Sequence, residues 1–209
     1  MLQQAFRTGI GSLDERLPGG IPSGSIVVLT ATPTSQSEQF LAHLIRDRPT
    51  LYLTTQRSAD VVRDGLAYAI PDAEHYTVKA VDHYAPFAHV RRLLEELDDY
   101  STLVVDTTHP FETDDDKKLQ ELLNDVQSRL RETDSVGFLH CIEGHAVPAH
   151  RDTTEYMADV VFDLDTAVYG DSIENRLFVP KVRRGEAITR AIKLDLSDGV
   201  TIDTSRDIS

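Results

Sequence analysis

Three groups of side chains in this 209-residue chain have types and spacing that could do chemistry. The first is His140-Cys141-x-x-x-His145 with His150 beyond it. Imidazole and thiolate are the ligands zinc prefers. Adjacent residues on a strand end point to opposite faces, however, and His145 and His150 fall in a loop containing Gly144 and Pro148. We therefore expect no metal site. Cys141 is the only cysteine, which excludes an intramolecular disulfide and a four-cysteine zinc site and suits a reducing compartment. As a nucleophile it ranks below its plain role as a small buried hydrophobe.

The second group, Asp114-Asp115-Asp116, could attract a cation. It also opens an apolar repeat of Leu119, Leu122, Leu123, Val126 and Leu130 at helical spacing, predicting a helix over 114–132 with Thr113 as N-cap. Acidic residues in a first helical turn complement the positive end of the helix dipole, so the run has a structural explanation without a metal. The third group is Ala31-Thr32-Pro33-Thr34-Ser35-Gln36-Ser37-Glu38, hydroxyl-rich and placed between an apolar run and a helical pattern.

These groups sit on a regular alternation of elements. Short apolar runs at 25–30, 50–54, 76–80 (the weakest), 101–106 and 136–140 predict strands covered on both faces. Amphipathic stretches at 37–45, 58–69 and 87–98 predict the helices between them. That order makes a mostly parallel α/β sheet. After Tyr156, short strands near 160–164, 176–182, 189–196 and 200–202 are separated by Tyr169-Gly170-Asp171 and Ser197-Asp198-Gly199 turns, predicting an antiparallel tail. No linker or repeat interrupts the pattern, so residues 1–209 read as one domain.

Composition restricts partners and location. Asp and Glu number 35 against 21 Lys and Arg, for a net charge of −14, and only five of the basic residues are lysines. A dense carboxylate surface poor in lysine suits concentrated salt, the surface of a halophile. It argues against nucleic-acid or anionic-membrane binding, which need a basic face. No run approaches a membrane span or a secretory signal, and we expect a cytoplasmic protein.

The whole chain resembles KaiC-like and RadA-like ATPases of the RecA superfamily. The resemblance rests on Thr8-Gly9-Ile10-Gly11-Ser12-Leu13-Asp14 with Leu17-Pro18-Gly19-Gly20-Ile21-Pro22-Ser23-Gly24-Ser25, and on a strand ending in Asp106, like a Walker B strand. It continues through Thr154-Glu155-Tyr156-Met157-Ala158-Asp159-Val160-Val161, Lys181-Val182-Arg183 and Gly199-Val200-Thr201-Ile202. What it implies is a RecA-like three-layer sandwich with a P-loop after the first central strand.

That loop is where this chain departs. The family's G-x-x-x-x-G-K-[ST] wraps phosphates with backbone N–H groups, meets them with Lys and holds Mg²⁺ with a hydroxyl. Here Ala31 and Gln36 replace the glycines, Ser37 the lysine and Glu38 the hydroxyl residue. The site is two charges more negative, and one unit pair at 4 Å is worth about 4 kcal/mol at an effective dielectric near 20. A micromolar site is worth about 8 kcal/mol, so losing half of that leaves millimolar affinity. Gln56 falls at or next to the family's catalytic glutamate, and an amide cannot take a proton.

The resemblance thus implies a degenerate Walker A motif and a pseudo-ATPase: no catalytic residue, no required cofactor and at most weak Mg-ATP binding. The implied function is a regulatory or scaffolding protein acting through protein contacts, with an active KaiC/RecA-like paralogue or by self-association. The alternative is a divergent ATPase of the KaiC/RadA family in signalling or DNA recombination. Asp106 would hold Mg²⁺ through water in an active relative, or serve as a hydrogen-bonded strand-end carboxylate. Lys181 and Arg183 match residues that reach a neighbour's γ-phosphate in ring-forming relatives. Without nucleotide they are expected at an interface, paired with carboxylates such as Glu38 on a neighbour or in the same chain, or in a plain surface pair on an edge strand.

Overall fold

The structure is a computed structural model that describes residues 5–202 except 18, 74, 184 and 198. A small ribbon of β1 (Ala5–Phe6) and β2 (Ile21–Pro22) flanks the one-and-a-half-turn α1 (Gly11–Arg16). Then β3 (Ile26–Ala31), β4 (Thr50–Thr54) and β5 (Tyr76–Ala80) alternate with α2 (Ser37–Ile45), α3 (Ala59–Ala69) and α4 (Pro86–Leu94). β6 (Thr102–Asp106) leads through α5 (His109–Glu112) into α6 (Asp116–Glu132), and β7 (Val136–Ile142) into α7 (Arg151–Met157). The chain closes with β8 (Val160–Tyr169), β9 (Ser172–Val182), β10 (Ile188–Asp195) and β11 (Thr201–Ile202).

The main sheet has the order β11-β10-β9-β8-β3-β7-β6-β4-β5. The strands from β8 to β5 in that order are parallel, and β9, β10 and β11 continue antiparallel. The expected mostly parallel sheet with an antiparallel C-terminal edge is what forms. The crossover differs in one respect: the strand beginning at Val160 pairs parallel with β3, so the antiparallel part starts at β9. The central strands β3, β4 and β6 are buried at every position, as continuous apolar runs with helices on both faces require, whereas β5 is partly exposed because it is an edge.

Two cores result. Leu13, Phe40, Val62, Phe138 and Phe162 pack α1, α2 and α3 on one face, and Phe87, Val90, Phe111, Leu122 and Val126 pack α4, α5 and α6 on the other. Edge-on ring pairs between Phe40 and Phe162, and between Phe87 and Phe111, anchor the two layers. No helix among the described residues is long and apolar enough to cross a membrane.

The acidic run before α6 is used as a helix start, though not with the expected cap. Asp115 is the N-cap and accepts from the Lys118 N–H at 2.9 Å, so the helix begins at Asp116. Thr113 instead ends α5 and donates its hydroxyl to the His109 carbonyl. The Ser197-Asp198-Gly199 turn lies partly outside the described residues, since Asp198 is among those omitted.

Candidate functional site

Parallel register brings four neighbouring strand ends to one edge of the sheet. Asp106, the last residue of β6, stands beside His140 of β7 and beside Thr54 of β4, while β3 delivers the chain into the loop before α2. Side-chain alternation then separates His140 from its neighbour. Phe138 belongs to the α2-side core, whereas Leu139 and Cys141 belong to the α6-side core. His140 therefore shares the face of Phe138 and Cys141 faces away from it.

The loop 32–36 folds upon itself. Ser35 donates its hydroxyl to the Thr32 carbonyl at 2.7 Å, and the Ser37 N–H at the start of α2 donates back to the Ser35 hydroxyl at 3.3 Å. One of the free helix N-terminal donors is thereby taken by the protein. Pro33, Thr34 and Gln36 are exposed, Ala31 is buried in the strand, and Ser37 is turned inward at 3% exposure.

Below Ser37 lies a continuous polar chain. The Ser37 Oγ is 3.1 Å from His140 Nε2, and His140 Nδ1 is 2.8 Å from Asp106 Oδ1. The second Asp106 oxygen accepts from the Tyr52 hydroxyl at 2.8 Å and from an Arg57 N–H at 2.7 Å. Arg57 reaches Glu38 with its other terminal nitrogen, also at 2.7 Å. Because an ionised Asp106 can only accept, His140 donates from Nδ1 to that carboxylate, and its Nε2 pairs with the Ser37 hydroxyl.

Electrostatics shifts three members of this chain. Burial at 4% exposure works to raise the Asp106 carboxyl, but the hydrogen bond and electrostatic attraction of His140, followed by those of Arg57, outweigh it and bring the group down to about 2. Tyr52 is pushed well above its ordinary range, first by burial and then by the Asp106 charge. For Arg57, desolvation works downward, yet Asp106 and Glu38 raise it on balance.

The Ser37, His140 and Asp106 connectivity is that of a nucleophilic triad. Burial decides against that use, because His140 is 2% exposed and Ser37 3%, leaving a reacting carbonyl no approach to the hydroxyl. What the arrangement does is satisfy buried polar groups at the heart of a sheet edge.

The expected site residues divide into two groups. Ser37, Glu38 and Asp106 meet at this edge, joined through Arg57 and His140. Gln56 is exposed and takes no part, because the turn after β4, closed by a Thr54 hydroxyl bond to the Arg57 carbonyl, swings Arg57 inward instead. Sequence reasoning missed Arg57 and Tyr52, and met His140 only as a rejected zinc ligand rather than as the link between Ser37 and Asp106. Only the alternation along β7 hinted at His140, and the other two join groups far apart in the chain.

Lys181 and Arg183 lie toward the other end of the sheet from Glu38, and the same-chain carboxylate beside Arg183 is Asp159. Lys181 donates to the Glu155 and Tyr156 carbonyls at 2.7 and 2.8 Å. Arg183 donates to the Tyr156, Met157 and Ala158 carbonyls and lies 3.3 Å from Asp159. Both cations thus cap the C-terminal end of α7. Burial and the neighbouring Arg183 lower the Lys181 amine.

Behind β7, Cys141 adjoins a fully buried ion pair. Arg151 grips Glu112 with two bonds of 2.9 Å, and the Cys141 Sγ is 3.6 Å from the same carboxylate. Burial first, and then the Glu112 charge, push the thiol far above its usual range. Among the described residues no three His, Cys, Asp or Glu side chains form a metal-binding group.

Residues 5–209 match a family described as "Family of unknown function (DUF7125)". Among solved structures, the fold is similar to that of a KaiC-like protein from the hyperthermophilic archaeon Pyrococcus horikoshii OT3, with a TM-score of 0.73 and 17% identity. That similarity covers 96% of this chain and 99% of the other. At such identity it establishes a KaiC-like, RecA-like α/β sandwich and nothing more about chemistry. No curated protein matches in sequence.

Proposed function

The chain belongs to the DUF7125 family of unknown function, and from its own residues we propose that it is a KaiC/RecA-like domain with a degenerate phosphate loop, acting as a regulatory or scaffolding protein through protein contacts. The observation that carries this reading is the Arg57 guanidinium seated between Glu38 and Asp106. In an active relative those two positions would face a metal ion and its nucleotide. Here a covalently attached cation stands between them.

The residues present do not fit Mg-ATP. Ser37 supplies no charge for the phosphates and is spent on His140, Glu38 adds a negative charge, and Ser35 takes a donor that phosphate would need. Gln56 has no proton-accepting group to activate water. We derive no hydrolytic step. An acidic, lysine-poor surface supports the salt-tolerant reading of the charge balance.

Such a domain has its fold to offer rather than a reaction, so its partners are proteins: an active paralogue of the same fold, or a second copy. The test is titration of a fluorescent ATP analogue with Mg²⁺ in concentrated KCl. We expect no saturable binding below about 1 mM. Micromolar binding would overturn the reading in favour of a divergent ATPase.

A further inference from the structure

At the sheet end opposite Ser37, where β3 and β8 begin, a cavity of about 400 Å³ opens to solvent. Leu17, Val160 and Val182 give it apolar walls, and three arginines line it: Arg16 from α1, Arg131 from α6 and Arg183 from just after β9. Its size falls in the range of about 300–1,000 Å³ typical of small-molecule sites. We propose that this cavity binds a small organic anion, a carboxylate or phosphate monoester with an apolar body.

The three arginines are not equivalent. Arg183 is committed to Asp159 and to the carbonyls that end α7. Asp159 is likewise satisfied, accepting from the Ile26 N–H and from Gln127. These two groups form a closed wall. Arg16 gives one N–H to the Arg190 carbonyl at 3.1 Å and keeps its remaining donors. Arg131 is exposed and has no hydrogen bond or ion pair with any described residue.

Arg131 is placed by the backbone. Gly24 has φ +76°, and a Cβ there would lie 2.6 Å from the Arg131 Cγ, so only glycine lets the arginine stem cross that part of the cavity. In a chain of net charge −14, two guanidiniums left with spare donors at one concavity form a local reversal of sign. Guanidinium forks match carboxylate and phosphate oxygens, and the apolar walls favour a ligand with a hydrophobic body over a bare ion. Glu186, which has no ion pair with any described residue, also lines the cavity, opposes the anion and limits affinity.

The experiment uses the full chain and 4-fluorophenyl phosphate, followed by fluorine and amide NMR. We expect saturable binding with Kd below about 1 mM, weakening as KCl rises. Amide shifts should centre on Gly20 and Gly24. Arg131→Gln should weaken binding about tenfold, Arg131→Lys less, and Glu186→Gln should tighten it about twofold. Arg63→Gln, remote and exposed, should change nothing. Inorganic phosphate should bind more weakly than the aryl ester. Absence of saturation, indifference to Arg131→Gln in a variant with unchanged melting, or shifts centred on Ser37 would each overturn the proposal. The last outcome would locate binding at the phosphate loop and so bear on the other reading instead.

Discussion

The Arg57 guanidinium lies 2.7 Å from the Asp106 carboxylate, with a side chain 36% exposed on one partner and 3% on the other. A half-exposed cation therefore plugs a buried anion, and the same cation reaches out to Glu38. Strands β4, β6 and β7, the turn after β4 and the start of α2 converge on this contact, which makes it the natural place to test how the sheet edge is held.

Removing the plug should cost stability without conferring nucleotide binding. Arg57→Gln leaves Asp106 its His140 and Tyr52 partners, and solvent screens part of the Arg57 term, so we expect a loss of about 1–2 kcal/mol. Denaturant midpoints in concentrated KCl measure it. An unchanged midpoint would show that Asp106 is held without the arginine.

Restoring the loop chemistry should need more than the loop. Ser37→Lys with Glu38→Thr buries an ammonium against His140 and within reach of Arg57, and like charges there oppose both folding and Mg²⁺. We expect the double variant to gain no measurable ATP affinity, and the triple variant with Arg57→Gln to gain some. Titration of the same fluorescent analogue separates the two. A gain in the double variant would show that Arg57 swings away freely.

Acid should unfold the protein through Asp106. Its folded value of about 2 lies below the ordinary 3.8. The stability this provides is fully present above about pH 4 and is lost as pH falls from there through 2. The shift corresponds to about 2 kcal/mol. Urea titrations at several pH values should show that slope in the native chain and a smaller one in Asp106→Asn.

The buried pair behind β7 should be costly to break and should hide its thiol. Glu112→Ala leaves the 2%-exposed Arg151 with only the Ile142 carbonyl and a longer 3.6 Å approach to Glu143, with an expected loss of about 3 kcal/mol. Cys141, fully buried with its thiol strongly disfavoured from ionising, should react with a thiol reagent only as fast as the chain opens. Rapid modification of the folded protein would contradict this geometry.

The elements were largely legible because each depends on neighbours along the chain. β4 spans Thr50–Thr54 and α2 spans Ser37–Ile45, as their apolar patterns predict. The helix cap was misplaced by two residues, since Thr113 and Asp115 are both competent caps and only the preceding short helix α5 decides between them. Ser37, Glu38 and Asp106 were legible as positions, through a family resemblance, but not as partners.

By itself the sequence determined the α/β alternation, the order of apolar runs and helices, the acid excess, and the missing glycines and lysine in the loop after β3. These are properties of composition and local period. Only the tertiary structure decided that Arg57 rather than Gln56 turns inward, that His140, 103 positions from Ser37, links it to Asp106, and that Lys181 and Arg183 are spent on the end of α7. A polar side chain's role is set by whichever partner the folded backbone brings within about 3 Å, and residue order along the chain leaves that partner open.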